Sequence, residues 1–153
     1  MGHAEHRVEC SAPIDHAFTC VTDYRSLPNW VLGLKHFDPL GEQTKGKGAA
    51  FDGAVNLGPI TLPIRMNFTQ WEDNTSFAAH FTDGVEGTLT VGFERIDQQR
   101  TLLNVALDYS VGKGISGRLL DKAIGAFIGP SFRYVDHHLP GQIENGDAEV
   151  SKS

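Results

Sequence analysis

From about residue 34 to residue 111 the apolar side chains of this sequence recur at every second position. Ile60, Leu62, Ile64, Met66 and Phe68 alternate with Thr61, Pro63, Arg65, Asn67 and Thr69, and Phe77, Ala79 and Phe81 alternate with Ser76, Ala78 and His80. Leu89, Val91 and Phe93 continue the pattern, as do Leu103, Val105, Leu107 and Tyr109. Successive side chains of a strand point to opposite faces, so each stretch has one apolar and one wet face. That is the mark of an antiparallel sheet covered on a single side. Gly58-Pro59, Asp73-Asn74, Asp83-Gly84 and Asp97-Gln98-Gln99 mark the turns, using residues that tolerate tight or left-handed backbone. Leu34–Leu40 and Ala49–Leu57 supply two less regular strands, and residues 5–11 one more, about seven in all.

Elsewhere the period is that of a helix. Ile14, Ala17, Phe18 and Val21 form one stripe of a helix over 13–22. Ser11-Ala12-Pro13 reads as its start, with the serine hydroxyl capping free amides and the proline tolerated in the first turn. Asp23-Tyr24-Arg25-Ser26-Leu27-Pro28 ends it, and a short helical turn then carries Leu27 and Trp30 toward the core. A long helix over about 115–137 presents Leu119, Leu120, Ala123, Ile124, Phe127, Ile128, Phe132 and Val135 on a broad apolar stripe. Gly125, Gly129 and Pro130 interrupt that stripe. An interior glycine costs about 1 kcal/mol against alanine and an interior proline about 3 kcal/mol, which predicts a bend near Gly129-Pro130. After Leu139-Pro140-Gly141 the residues become small and polar, so 1–141 reads as one domain and 142–153 as a flexible tail.

Composition narrows the function classes. The 153 residues are 40% hydrophobic and 21% charged, an ordinary mixture for one α+β domain. A formal net charge of −6, with no basic cluster, argues against nucleic acid or an anionic membrane as partner. No apolar run approaches the length of a membrane span, so no stable membrane insertion is expected. Met1 to Arg7 is polar and lacks the features of a secretory signal. Cys10 and Cys20 have neither redox nor zinc-ligand spacing. Two buried thiols in a cytoplasmic protein, without metal or cofactor, are the expectation, and the chain reads as a monomer or weak dimer.

The opening strand is followed by Ser11-Ala12-Pro13-Ile14-Asp15-His16-Ala17-Phe18 and then by Val21-Thr22-Asp23-Tyr24-Arg25-Ser26-Leu27-Pro28-Asn29-Trp30-Val31. This order resembles the opening of the START-like (SRPBCC) superfamily, and within it the polyketide cyclase/dehydrase and lipid-transport branch. The resemblance implies a helix-grip fold, in which a curved antiparallel sheet wraps around a long C-terminal helix, with two short helices after strand 1. It implies less about function. The superfamily places carriers, cyclases, hydrolases, hormone receptors and chaperone activators on one scaffold.

A sheet wrapped on one helix need not fill its interior, so the inward-facing residues are the expected lining of a ligand cavity. They are Met66, Phe68, Phe81, Leu89, Val91, Leu107 and Tyr109 of the strands, Ile124, Phe127, Ile128 and Phe132 of the helix, and His36, which shares the phase of Leu34. The expected ligand is a small hydrophobic molecule such as a lipid or polyketide, held mostly by burial. The competing reading, a cyclase or dehydratase-like enzyme, requires a general acid/base pair at the cavity. His36, Asp52, Asp108, Tyr109 and Arg133 are the candidates, but they form no recognisable spaced pair, which tilts the reading away from catalysis. A protein-interaction module is the third possibility.

Two motifs are read as structural. Gly112-Lys113-Gly114-Ile115-Ser116-Gly117 matches a dinucleotide fingerprint in its letters. That fingerprint works only in a parallel βαβ unit, and here no strand is expected after the helix. His137-His138 invites a metal, but neighbours on a helix point about 100° apart and no partner spacing completes the set. A solvated helix end is the simpler reading.

Overall fold

The computed structural model describes residues 2–83, 85–111 and 115–152, with backbone alone over 115–117 and 145–152. The alternating stretches form β1 (Gly2–Cys10), β2 (Leu34–Pro39), β3 (Ala50–Asn56), β4 (Thr61–Glu72), β5 (Ser76–Asp83), β6 (Glu86–Asp97) and β7 (Arg100–Ser110). They make one antiparallel sheet in the order β1-β7-β6-β5-β4-β3-β2. Strands β2 to β7 follow one another as a meander, and β1 closes the far edge beside β7. The expected turn chemistry is present. Asn74 adopts φ 61°, the left-handed conformation that asparagine tolerates, and the Asp97 carboxylate accepts a hydrogen bond from the Gln99 amide at 2.8 Å.

The pairing slips at three places among the described strands, and two of these slips change which residues face inward. Between Leu34 and His36 the pairing of β2 with β3 slips by one residue. Leu34 therefore packs on the core while Phe37, three residues on, is buried against Phe51 at 4.8 Å between ring centroids. A one-residue slip reverses every side chain beyond it. His36, expected to face inward, is exposed and bonds Asp38 through Nδ1 at 3.0 Å. A second slip between Phe68 and Gln70 in β4 turns Trp71 inward. Its indole N–H reaches back to the Asp73 carboxylate at 2.7 Å.

Helix α1 (Ile14–Thr22) buries Ala17, Phe18 and Val21, as its stripe predicts. Ser11 does not cap it. Pro13 occupies the capping position without a side-chain cap bond, and the first helical bond runs from Ala17 N to Pro13 O at 3.0 Å. Ser11 lies two residues too early to reach those amides, and its own N–H instead faces Glu144 at 3.4 Å. Phe18 projects from α1 into the sheet, edge-on to Trp71, Phe77 and Phe93 at centroid distances of 5.2, 6.4 and 5.1 Å. Such edge-to-face pairs add about 0.5–1.5 kcal/mol beyond the area they bury. The 3-10 helix Tyr24–Asn29 follows and packs Leu27 and Trp30 against the same cluster.

Helix α2 (Ile115–Lys152) is longer than its periodicity predicts. It continues through Pro130 and Pro140, each of which withholds one amide donor from the helix. The helix runs past the stop expected near residue 137, and its backbone continues to Lys152. Leu139 and Ile143 explain this, being 2% and 0% exposed in the cluster that holds Val8, Ala12 and Ala17. His16 Nε2 also lies 2.7 Å from the Ile143 carbonyl. His137 and His138 are therefore exposed in mid-helix rather than at its end, with His138 against the Tyr134 ring. Residues 112–114 of the glycine motif lie outside the described residues. The described strands are all antiparallel and α2 follows the last of them, so the parallel unit which that motif needs is not formed among them.

Cys10 and Cys20 are free, the first buried and the second half-buried. Burial pushes both thiols up to about 11, helped by Glu144 near Cys10 and Asp23 near Cys20. The thiolate is the reactive form. Both should therefore react with a disulfide reagent at pH 8 about a hundredfold more slowly than after unfolding in urea. A second expectation concerns the end of the domain. Ile143→Ala should lower the unfolding free energy by about 2–4 kcal/mol in urea titrations, as for any fully buried large aliphatic residue. A tail residue would cost nothing measurable.

Candidate functional site

Two buried clusters close the two ends of the sheet's inner face. At one end Phe18, Phe77, Phe93 and Leu103 pack beneath α1. At the other, Leu62, Val85 and Tyr109 pack against Ile124 of α2, with Leu120 and Ile128 beside it. Helix α2 crosses from the second cluster to the first. Over its C-terminal half it packs on β1, α1 and the 3-10 helix rather than on the middle strands.

The inner face between the clusters is less well covered. Ile64 and Met66 of β4, Leu89 of β6, and Val105 and Leu107 of β7 all face inward yet stay only half-buried. Leu89 pairs directly with Leu107, and Val91 with Val105, so these residues form one contiguous apolar surface. Opposite them, Phe127 and Ile128 of α2 are also half-buried. The result is an apolar trough between sheet and helix, left open because α2 does not descend onto the middle strands.

A groove of about 420 Å³ opens beside this trough. Leu57, Pro59 and Ile60 of the β3–β4 turn form one wall, and Leu119, Lys122, Ala123, Ala126 and Phe127 of α2 form the other. Leu57 also belongs to the second cluster, so the groove and the interior share a wall there. Leu119, expected on the packed stripe, is 61% exposed because it lies on the groove side of α2 rather than over the sheet. Gly33 holds the adjoining corner with φ +79°, and a Cβ there would run into the Asn56 carbonyl while standing 3.2 Å from the Phe127 ring.

The twelve expected lining residues divide accordingly. Met66, Phe68, Leu89 and Val91 belong to the cluster under α1, and Phe81, Leu107, Tyr109, Ile124 and Ile128 to the cluster at the far end. Phe127 borders the groove, and Phe132 stacks on His6. His36 lies outside, for the reason of register given above. A single enclosed cavity lined by all twelve is therefore not the arrangement the structure shows. The trough takes the half-buried members, and Phe68, Val91, Tyr109 and Ile124 sit in its closed ends.

Of the five candidates for acid/base chemistry, only Tyr109 faces inward. Burial pushes its hydroxyl up, and the Asp121 carboxylate on α2 adds to the shift. Gly2 leaves room for the ring, since a Cβ there would overlap it. Asp52 lies on the outer face 3.8 Å from Arg65, Asp108 is exposed and bonds His3 Nδ1 at 2.6 Å, and Arg133 is exposed on α2. The strand period explains the two aspartates. Each neighbours an inward residue (Phe51 and Tyr109), and a neighbour in a strand points the other way. No group of His, Cys, Asp and Glu among the described residues is arranged to hold a metal ion.

The sequence reading missed His6. The first strand was expected only over residues 5–11 and no face was assigned to it, whereas β1 starts at Gly2, and Ala4, Val8 and Cys10 carry the alternation that places His6 on the inner face.

As a sequence the chain matches no family model and no curated protein. Its structure does find neighbours. The Zhui aromatase/cyclase from Streptomyces sp. R1128 superposes with a TM-score of 0.79 over 94% of this chain and 93% of its own, at 14% identity. A START superfamily protein from Mycobacterium smegmatis gives a TM-score of 0.73 over 94% and 97%, at 18% identity. The fold is START-like. The di-domain ARO/CYC BexL matches over 91% of this chain and 46% of its own length, with a TM-score of 0.66 at 16% identity. At such identities the START-like architecture is shared and the chemistry of the site has to come from this chain's own residues. No described helix is long and apolar enough to cross a membrane.

The trough makes a stability prediction. Leu103 is 1% exposed in the closed end of the START-like sheet, so Leu103→Trp should overpack it and cost about 1–3 kcal/mol. Leu107→Trp grows into open space and should change the urea midpoint by less than about 1 kcal/mol. Equal losses in both variants would show that the trough is filled.

Proposed function

We propose that this chain binds and carries a small hydrophobic molecule in the trough between the sheet and α2. One observation carries the reading. Apolar side chains in the middle of the inner face, Ile64, Met66, Leu89, Val105 and Leu107, are half-buried while both ends of the same face are closed. A packed two-layer domain would bury these central positions first. An apolar ligand inserted there would remove that surface from water at a gain of about 25 cal/mol per Å². The residues proposed to line the ligand are the expected set without His36, and the groove beside Phe127 is the proposed way in. The two free thiols accord with a cytoplasmic setting.

Catalysis by a cyclase or dehydratase is the second reading, favoured by the aromatase/cyclase among the structural neighbours. The five candidate residues supply it with one inward group, Tyr109, and an acid/base reaction needs a partner within hydrogen-bond reach. Binding therefore comes first.

The test uses the fluorescent probe 1-anilinonaphthalene-8-sulfonate and native mass spectrometry. Wild-type protein should bind the probe, and protein isolated from its own host should retain an apolar adduct. Leu107→Trp, folded by circular dichroism, should weaken the probe by about tenfold or more, since the indole occupies the ligand's place. Unchanged probe affinity in Leu107→Trp would move the binding site out of the trough.

A further inference from the structure

The inner face of β1 consists of Gly2, Ala4, His6, Val8 and Cys10. Four of these are small or apolar, and His6 is the exception. Its side chain is only 22% exposed. Directly across the strand pair lies Val105, one of the half-buried residues of the trough, and cross-strand partners stand about 5 Å apart at their Cβ atoms. His6 therefore borders the ligand space from the sheet edge.

Helix α2 fixes the orientation of this ring. Phe132 and Asp136 are four residues apart and share one helix face. The imidazole of His6 stacks on Phe132 with centroids 4.5 Å apart and planes 7° from parallel. Its Nε2 lies 2.7 Å from Asp136 Oδ1. A carboxylate only accepts hydrogen bonds, so the proton in that contact belongs to Nε2. In the neutral ring the lone pair is then on Nδ1, and the carboxylate behind the ring makes that nitrogen a stronger acceptor.

We propose that His6 is the polar anchor of the trough, with Nδ1 accepting a hydrogen bond from a weakly acidic hydroxyl on a planar apolar ligand, a phenol or an enol. The inference rests on the ligand-binding reading above and names the ligand class. Phe132 and the apolar wall around Val105 accept a flat ring, and Nδ1 selects the hydroxyl. A ligand of the same shape without a donor displaces water from Nδ1 and returns nothing, which costs affinity. Asp136 acts through His6 as a positioning residue.

The experiment compares 2-naphthol with 2-methoxynaphthalene, which matches it in shape but has no donor, by calorimetric titration at pH 8. Wild-type protein should bind 2-naphthol about tenfold more tightly. His6→Phe keeps a ring against Phe132 and removes the acceptor, so it should bind both probes alike, 2-naphthol more weakly and 2-methoxynaphthalene more tightly than the wild type. Asp136→Asn keeps the shape and loses the charge, and should reduce the preference to about threefold. A readout without substitution is the nitrogen-15 spectrum of histidine-labelled wild-type protein, in which 2-naphthol should move the Nδ1 resonance of His6 and 2-methoxynaphthalene should not. Wild-type protein that binds both probes alike, or His6→Phe that keeps the full preference, overturns the anchor and leaves the trough standing. Failure of both probes to bind wild-type protein overturns the trough, and the anchor with it.

Discussion

One helix cannot cover seven strands. At about 4.8 Å between neighbours a sheet of seven strands is about 29 Å wide, whereas a helix with its side chains is about 10 Å across. An antiparallel meander with an apolar face must still hide that face. This chain closes its two ends separately and leaves the middle open. Phe18 of α1 seals one end within a group of edge-to-face aromatic rings, and Ile124 of α2 seals the other over Tyr109, Leu62 and Val85. The trough is what remains between the seals.

The path of α2 follows from the same constraint. Its C-terminal part is tied to the edge of the sheet and to α1, through His6 with Phe132 and Asp136, His16 with the Ile143 carbonyl, and the buried Leu139 and Ile143. Anchored there, it approaches the β1 edge rather than the middle strands. The helix holds through Pro130 and Pro140 because buried side chains on either side stabilise it more than two missing amide bonds cost. The groove at Leu119 and Phe127 is the other face of this geometry, where the helix rises away from the sheet beside the β3–β4 turn.

Polar chemistry on the inner face is sparse, and that bears on function. Most charged residues that sequence inspection would nominate face water and pair locally: Asp52 with Arg65, Asp108 with His3, His36 with Asp38. Pairs so exposed are screened by water, add little to stability and say little about a site. Tyr109 and His6 are inward titratable groups that border the apolar surface, with the Asp121 carboxylate acting on the first and Asp136 in contact with the second at 2.7 Å. Structural neighbours with the same scaffold and under a fifth of the sequence in common cannot decide between a carrier and a cyclase.

The amino-acid sequence alone determined the class, about seven strands, α1 and the antiparallel character of the sheet, because each is written in a local period of two or 3.6 and in turn residues such as Asn74 and Asp97. It also marked most of the inward-facing apolar side chains, since inward phase is a local property of a strand. Only the tertiary structure decided the rest. The bulges in β2 and β4 depend on pairing with a neighbouring strand, so nothing in the local pattern put His36 outside or Trp71 inside. The extension of α2 past residue 137 rests on burial of Leu139 and Ile143 against α1, more than a hundred residues away in sequence. The His6–Asp136 contact joins the first strand to the last helix. Register and long-range burial are properties of two segments together, and a period read along one segment cannot contain them.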